Sequence, residues 1–197
     1  MVAINLTFIR KWRAYALVIF LFPINISTTF AHSLPGSVLK FSQFPENNQH
    51  VDLTLSFALD DLLIASPAFE KIQSYDINED LNLKDFRLLE EYLNQHLQLY
   101  KDTERLSLTL KHVALELAFH EDIGEYIVLV STLSSDKAIY GDVLPLTLQY
   151  DAIMHEIRNH RAMVYWLGSN EELMKLSNFG FKKVDGKQQK VSLQIHN

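Results

Sequence analysis

Apolar and polar residues alternate one by one along much of this chain. Leu53, Leu55 and Phe57 are separated by polar residues, and the same alternation recurs over 106–110, 113–119, 144–150 and 191–195. A period of two buries one face of a strand and leaves the other in solvent. The apolar runs 126–130 and 162–167 are further candidate strands, and 126–130 is expected to be covered on both faces. These seven or eight strands predict a mainly β fold, an Ig-like antiparallel β-sandwich.

The alternation is interrupted between residues 60 and 102. Apolar residues there recur at spacings of three and four, at Phe86, Leu89, Leu93, Leu97 and Tyr100. That period predicts an amphipathic helix over about 83–101. The sandwich is therefore expected to carry a helical insertion over about 60–102, between its second and third strands. Near the end of the chain, Asp185-Gly186 predicts a hairpin between 179–184 and 190–195.

The first 31 residues have the pattern of a secretory signal peptide. Three basic residues precede the apolar run 14–22, and Thr29 and Ala31 place small residues at the positions preceding a cleavage site. The alternative is a membrane anchor, but nine apolar residues fall well short of the roughly 20 that a span needs. We expect cleavage after Ala31 and a single periplasmic or secreted domain over 32–197, with no membrane span in the mature chain.

The composition excludes several classes of protein. The chain has no cysteine, so disulfide scaffolds, thiol catalysis and cysteine-based metal sites are ruled out. The net charge is −6, and three of the 18 Lys and Arg lie in the leader. The mature domain therefore has 15 basic residues against 24 acidic ones, a net charge of −9 that does not favour nucleic acid as a partner.

Five segments of the sequence, taken in their order along the chain, resemble a known family. They are 31–39 at the mature start, Ala58-Leu59-Asp60-Asp61-Leu62, the acidic segment 76–83, Leu148-Gln149-Tyr150-Asp151 and Asn159-His160-Arg161-Ala162. In this order they are similar to the periplasmic N-terminal domain of HupE/UreJ-like membrane proteins, across about residues 31–168. In that family the domain precedes a multi-helix membrane part assigned to nickel or cobalt uptake or to accessory roles. The resemblance implies a non-enzymatic domain that serves a membrane or periplasmic protein partner.

The acidic segment has part of the ligand pattern of an EF-hand calcium loop. Asp76, Asn78, Asp80 and Asn82 stand at positions 1, 3, 5 and 7, but Leu81 replaces the glycine of position 6 and Arg87 the carboxylate of position 12. The alternative is a helix start in which Asn82 is the cap. We expect a degenerate loop without calcium.

His32 is a second candidate metal ligand. After cleavage it would present an α-amine and an imidazole, nitrogen ligands that suit copper or nickel. The remaining histidines show no metal-ligand spacing, so a solvated terminus is the alternative.

His160 and Arg161 are candidates for either a partner contact or a structural role. In the structural interpretation, Arg161 pairs with a carboxylate such as Asp151 or Glu156 and holds the loop before the next strand.

Motifs for catalysis are absent from the sequence. It contains no G-x-S-x-G nucleophile elbow, no H-E-x-x-H zinc motif and no glycine-rich phosphate loop. We therefore predict a non-enzymatic exported binding or accessory domain without a required cofactor. The alternative is a periplasmic copper- or nickel-delivery protein that uses His32.

Overall fold

The fold is mainly β, as the alternation predicts. A computed structural model describes residues 36–43, 49–168, 170–184 and 186–194. The strands in these residues are β1 (Ser37–Ser42), β2 (Asp52–Ala58), β3 (Leu97–Lys101), β4 (Glu104–Leu106), β5 (Leu108–His120), β6 (Gly124–Ser135), β7 (Leu146–Tyr150), β8 (Arg161–Leu167), β9 (Leu173–Gly180), β10 (Lys183–Val184), β11 (Lys187–Gln188) and β12 (Lys190–Leu193). The helices are α1 (Leu59–Ala65), a 3-10 helix (Pro67–Ser74) and α2 (Leu83–His96).

The strands form two main sheets. The larger has six strands in the order β5-β6-β2-β1-β8-β9, and the smaller has four in the order β12-β7-β3-β4. Their paired neighbours are antiparallel apart from β1 and β8, which run parallel from Ser37 beside Ala162 to Ser42 beside Leu167. This parallel pair brings together strands that lie more than a hundred residues apart in sequence.

One apolar core is shared by both sheets and by the helices. Alternate residues supply it: Leu53, Leu55 and Phe57 of β2 are buried, while the residues between them are half-buried on the other face. Leu146 and Leu148 of β7 do the same in the smaller sheet. The period of two read from the sequence therefore corresponds to burial.

The helical segment lies between β2 and β3, but the predicted helix 83–101 is wrong at its end. Helix α2 ends at His96, and Leu97–Lys101 is strand β3. Leu97 and Leu99 pair with Tyr150 and Leu148 of β7 and are buried. Their spacing of two also suits a strand, and pairing with a distant strand decides between the alternatives. No helix in the described ranges is long and apolar enough to cross a bilayer.

The C-terminal hairpin is smaller than predicted. Strands β10 and β11 pair Lys183 with Gln188 and Val184 with Lys187, whereas β12 pairs with β7. The segment 190–195 was expected to pair with 179–184. Instead Val191 and Leu193 lie beside Leu148 and Leu146, where Leu193 is buried in the shared core.

Strands β5 and β6 form a long hairpin that extends beyond the rest of the sheet. The segments 106–110 and 113–119, predicted as separate strands, lie almost wholly in the one strand β5, with a register shift between Leu110 and His112. Strand β2 pairs with β6 only from Val128 onward. We call the projecting part, residues 116–127, the β5–β6 arm. The expectation that 126–130 is covered on both faces is wrong, because Ile127 lies in this arm and is exposed.

Candidate functional site

A buried polar network links Ser37, Asp61, Tyr150 and His160. The Ser37 backbone N–H donates to His160 Nε2 at 2.9 Å, and the Ser37 hydroxyl lies 2.8 Å from the same nitrogen. His160 Nδ1 lies 2.9 Å from Asp61 Oδ2, and the Tyr150 hydroxyl donates to Ser37 Oγ at 2.6 Å. Because Nε2 accepts from a backbone N–H, a neutral His160 carries its proton on Nδ1 and donates it to Asp61.

Four separate elements supply this network. Ser37 begins β1, His160 directly precedes the parallel strand β8, Asp61 lies in the first turn of α1, and Tyr150 ends β7. The network therefore ties both main sheets to the first helix at one end of the β1–β8 pair. The sequence indicated His160 as a candidate but not its partners, because Asp61 and Ser37 lie 99 and 123 residues from it. Tyr150 joins the network through Ser37, which lies 113 residues away in the other sheet.

Serine, histidine and aspartate in this order are also the groups of a nucleophilic triad. Here Ser37 has 0% of its surface exposed and His160 has 3%, so a substrate carbonyl cannot reach the hydroxyl. The geometry instead suits a structural role, because each polar side chain of this network has a hydrogen-bond partner within it. This supports the structural interpretation of His160.

Arg161 lies on the surface beside β9. Its Nε donates to the Asn178 side-chain oxygen at 2.9 Å, and Nη2 lies 3.4 Å from the Asn178 carbonyl oxygen. The predicted pairing with Asp151 or Glu156 does not occur among the ion pairs of the described residues. Instead, Asp151 Oδ1 lies 2.8 Å from His96 Nδ1. Arg161 thus joins two neighbouring strands.

A second polar cluster, which sequence reasoning missed, surrounds Asp151. His96 Nδ1 lies 2.8 Å from Asp151 Oδ1, and His155 Nδ1 lies 3.1 Å from the Asp151 carbonyl oxygen. The two imidazoles stack with centroids 4.3 Å apart and planes 16° apart, and Tyr92 packs against His96. Nearly parallel rings direct their in-plane lone pairs side by side, so they do not converge on one metal ion. Within the described ranges no group of three or more His, Cys, Asp or Glu could hold a metal.

Tyr92 makes the fold sensitive to alkaline pH. Burial raises the pKa of its phenol to about 12, opposed by the hydrogen bond from Ile153 N–H and reinforced by the carboxylates of Asp151 and Glu156. The pKa of a tyrosine in the unfolded chain is about 10. The contribution of neutral Tyr92 to the free energy of unfolding is therefore complete below pH 10 and is lost as the pH rises towards 12. We expect tyrosinate absorbance to show Tyr92 ionising late, with stability falling over that window.

The control for the alkaline titration is Tyr92→Phe. Its unfolding free energy should decline less steeply between about pH 10 and 12, whatever its stability at neutral pH. If the free energy of unfolding of this variant fell as steeply with pH as that of the unsubstituted protein, a raised pKa of Tyr92 would be contradicted. Tyr150, whose pKa is also raised by burial, remains in both proteins.

The acidic segment 76–82 directly precedes helix α2. Asn82 caps the helix, its side-chain oxygen accepting from Lys84 N–H at 2.9 Å and Asp85 N–H at 3.0 Å. Asn78 has a φ of 64° and donates its N–H to Leu115 of β5, while the exposed Asp80 lies 3.8 Å from His112. Asp76 donates its N–H to the Glu79 carboxylate at 2.9 Å. Of the four predicted ligands, Asn82 uses its side chain to cap the helix, whereas the contacts of Asp76 and Asn78 are made by their backbone N–H groups.

Replacing Asn82 with alanine should lower the free energy of unfolding by about 1 kcal/mol, because two N–H groups at the start of α2 lose their acceptor. Urea denaturation of Asn82→Ala and Asn82→Ser would measure this effect. Serine retains an oxygen that can cap, so it should recover most of the loss. Equal losses in both variants would contradict the capping role.

The outer face of the six-stranded sheet contains a groove of about 400 Å³. It lies at the arm end of the sheet, where the half-buried side chains of Val38, Tyr126, Val128 and Val130 form its apolar part. Lys40 and Glu116 add one charge of each sign. Thr54 and Ser56 also line the groove, and because β2 lies between β1 and β6 their polar side chains lie within it. A concave surface that combines apolar side chains with a few polar groups is typical of a binding site.

The predicted leader 1–31 and His32 lie outside the described residues. No protein-family model matches the sequence, and no curated protein matches it.

Proposed function

We propose that this chain is a non-enzymatic, exported binding domain that serves a membrane metal-transport or accessory protein. The observation that carries the proposal is the groove on the outer face of the larger sheet, whose apolar part is formed by Val38, Tyr126, Val128 and Val130. The sealed Ser37–His160–Asp61 network favours a non-enzymatic role, since its hydroxyl is buried. The basic and apolar leader supports export, and the resemblance to HupE/UreJ-like domains supports the class of partner.

We infer that the two main sheets are the layers of an Ig-like sandwich. The shared core, to which both sheets contribute alternate residues, supports this arrangement. The helices between β2 and β3 would then be an insertion, preceded by a loop that keeps only part of an EF-hand pattern.

Export and metal binding are tested together by native mass spectrometry. The full-length chain is expressed, the periplasmic fraction is purified, and its mass is recorded before and after exposure to copper, nickel or calcium. We expect a mass that begins at His32 and no retained metal. A product that retains residues 1–31 would contradict export. One copper or nickel ion per chain, lost when an extra residue precedes His32, would favour the metal-delivery alternative.

Partner binding is tested by photo-crosslinking in producing cells. A photoreactive amino acid at Val128 should capture one membrane or periplasmic protein, and Val38→Glu in the same chain should abolish that product. The matched control carries the photoreactive group at Tyr140, which is 81% exposed outside the groove. The same products from both positions, or a product that Val38→Glu does not affect, would contradict a role for the groove.

A further inference from the structure

Lysines are concentrated in the last part of this acidic chain. Residues 173–197 contain five lysines and one acidic residue, a net charge of +4. Residues 32–172 contain 10 basic residues against 23 acidic ones, a net charge of −13. Four of the five lysines lie within the ten residues 181–190, which we call the lysine hairpin. Positive charge is therefore confined to one short segment of the domain.

The lysine hairpin contains a small sheet of its own. Strands β10 and β11 pair with each other and belong to neither main sheet. The Gln189 N–H donates to the Lys182 carbonyl oxygen at 2.9 Å, which continues the β10–β11 register by one pair. Because neighbouring residues of a strand face opposite sides, Lys182, Val184 and Lys187 share one face, and Lys183 lies on the other.

The charges of the hairpin face solvent. All four of its lysines are exposed, and Val184, which lies between Lys182 and Lys187 on one face, is 50% exposed. None of the ion pairs among the described residues involves these lysines. Asp185 is the only acidic residue of the segment, so the hairpin has a net charge of +3 around an exposed apolar side chain.

A further cation lies beside the hairpin. Arg158 Cζ lies 4.5 Å from the centroid of the Phe181 ring, and Lys183 Nζ lies 5.7 Å from the same centroid. Each cation is attracted by the ring, but the two like charges repel each other. Arg158 is exposed and takes part in none of the ion pairs of the described residues. An anion bound beside both side chains would remove this repulsion.

The acidic residues nearest to this surface do not neutralise it. Glu171 and Glu172 precede β9, whose eight residues place them roughly 25 Å from its Gly180 end. Asp151 lies against His96 at 2.8 Å. Glu156 is close to Arg158 in sequence but forms no ion pair with it in the structure. The positive potential of the hairpin is therefore available to a partner.

We propose that the lysine hairpin and Arg158 bind the anionic phospholipid headgroups of a membrane. Charge complementarity selects this partner, because each Lys or Arg near an anionic bilayer strengthens binding without requiring a fixed geometry. The lysines diverge on two faces of the hairpin, whereas a pocket for a single anionic group needs cations that converge. A hairpin that meets the bilayer by its turn places lysines of both faces at the headgroups and Val184 among their apolar stems.

This inference goes beyond the proposed function, because no residue of the hairpin lines the groove. A hairpin bound to lipid would hold the domain at a membrane surface, while the groove remains free to contact a protein. Lipid binding can be measured on the purified chain without that protein. Failure of the lipid experiment would therefore leave the groove untouched, and failure of the crosslinking at Val128 would leave the hairpin untouched.

Cosedimentation with vesicles tests lipid binding directly. The product purified from full-length expression is mixed with vesicles of phosphatidylcholine alone, or of equal parts phosphatidylglycerol and phosphatidylcholine. We expect binding to the anionic vesicles only, and at least about tenfold weaker binding at 1 M than at 0.1 M NaCl. The Debye length falls from about 10 Å to about 3 Å over that range. Equal binding to both vesicles would overturn the proposal.

Charge-removing variants locate the binding surface. The double variant Lys182→Gln/Lys187→Gln should bind anionic vesicles about 25-fold more weakly, about fivefold for each charge removed. The matched control Lys71→Gln/Lys84→Gln removes two exposed lysines from the helical segment and should bind like the unsubstituted chain. Equal binding by all three proteins would assign the lipid contact to another part of the chain, such as the basic leader, and would overturn the proposal.

A fluorescent label reports whether the hairpin itself reaches the lipid. The chain has no cysteine, so Val184→Cys accepts a single environment-sensitive dye. Its emission should shift to shorter wavelength with anionic vesicles, whereas the dye on the control Tyr140→Cys, a position that is 81% exposed in the native chain, should not change. Equal shifts at the two positions, or no shift at Val184, would contradict contact through the hairpin.

An acidic polypeptide is the competing occupant, and sodium polyglutamate is the probe for it. At equal concentrations of negative charge, we expect the unsubstituted chain to bind the anionic vesicles more tightly than polyglutamate, because only the bilayer also accommodates Val184. Binding to polyglutamate without binding to vesicles would overturn the membrane as the partner and favour an acidic protein surface.

Discussion

Replacing His160 with alanine is expected to lower the free energy of unfolding by about 3–5 kcal/mol, because removing one partner of a buried pair leaves the other unpaired. Asp61 would keep a buried carboxylate without its imidazole, and Ser37 would lose the acceptor of its backbone N–H. This is a large part of the total stability of a domain of this size. Urea denaturation followed by circular dichroism measures the loss.

The matched control is His112→Ala, since the side chain of His112 is 61% exposed. Surface substitutions of this kind change stability by about 0.5 kcal/mol or less. Asp61→Asn provides a second variant of the network that keeps the size of the side chain and one acceptor oxygen. It should cost less than His160→Ala. A His160→Ala loss no larger than that of His112→Ala would show that the network does not stabilise the fold.

Replacing Gly36 with alanine is expected to destabilise the same junction by about 1–3 kcal/mol, the usual cost of overpacking. A Cβ at this position would lie 2.1 Å from the Arg161 carbonyl oxygen and 2.9 Å from its carbon. Both atoms belong to the backbone of Arg161, the first residue of β8, so β1 and β8 must move apart. Chemical denaturation with an unchanged m-value would report the loss as one of stability.

Gly180→Ala is the control for the Gly36 substitution. Gly180 pairs with Arg161 across β8 and β9, but a Cβ there would meet no atom closer than 3.8 Å. Its stability should change by about 0.5 kcal/mol or less. Similar losses in the two variants would mean that general glycine effects, and not the close approach of β1 to β8, determine the result.

Local patterns in the sequence predicted much of the secondary structure. The alternation at Leu53, Leu55 and Phe57 indicated β2 and its buried face, because a strand side chain can reach the core only at every second position. Asn82 was a candidate cap for the same local reason, since the two N–H groups from which its side-chain oxygen accepts lie within three residues. Such features depend on neighbours in sequence and can be read without the fold.

Where two local patterns overlapped, or where burial depended on a distant strand, the sequence did not decide the structure. Leu97 continued a helical spacing and also began an alternation with Leu99, and the distant partner Tyr150 decided for a strand. The exposed Ile127 was predicted to be covered, because sequence does not reveal where β2 ends beside β6. Both differences arise from pairing between segments far apart in the chain.

By itself, the sequence determined that this is a mainly β chain with a helical segment, an acidic charge and no cysteine chemistry. The tertiary structure alone decided that His160 is sealed against Ser37 and Asp61, that the Asp151 cluster stacks two histidines, and that the arm leaves Leu117 and Phe119 exposed. The physical reason is the range of the interactions. Periodicity and capping act over a few residues, whereas burial, edge exposure and polar networks depend on which distant strands and helices pack together.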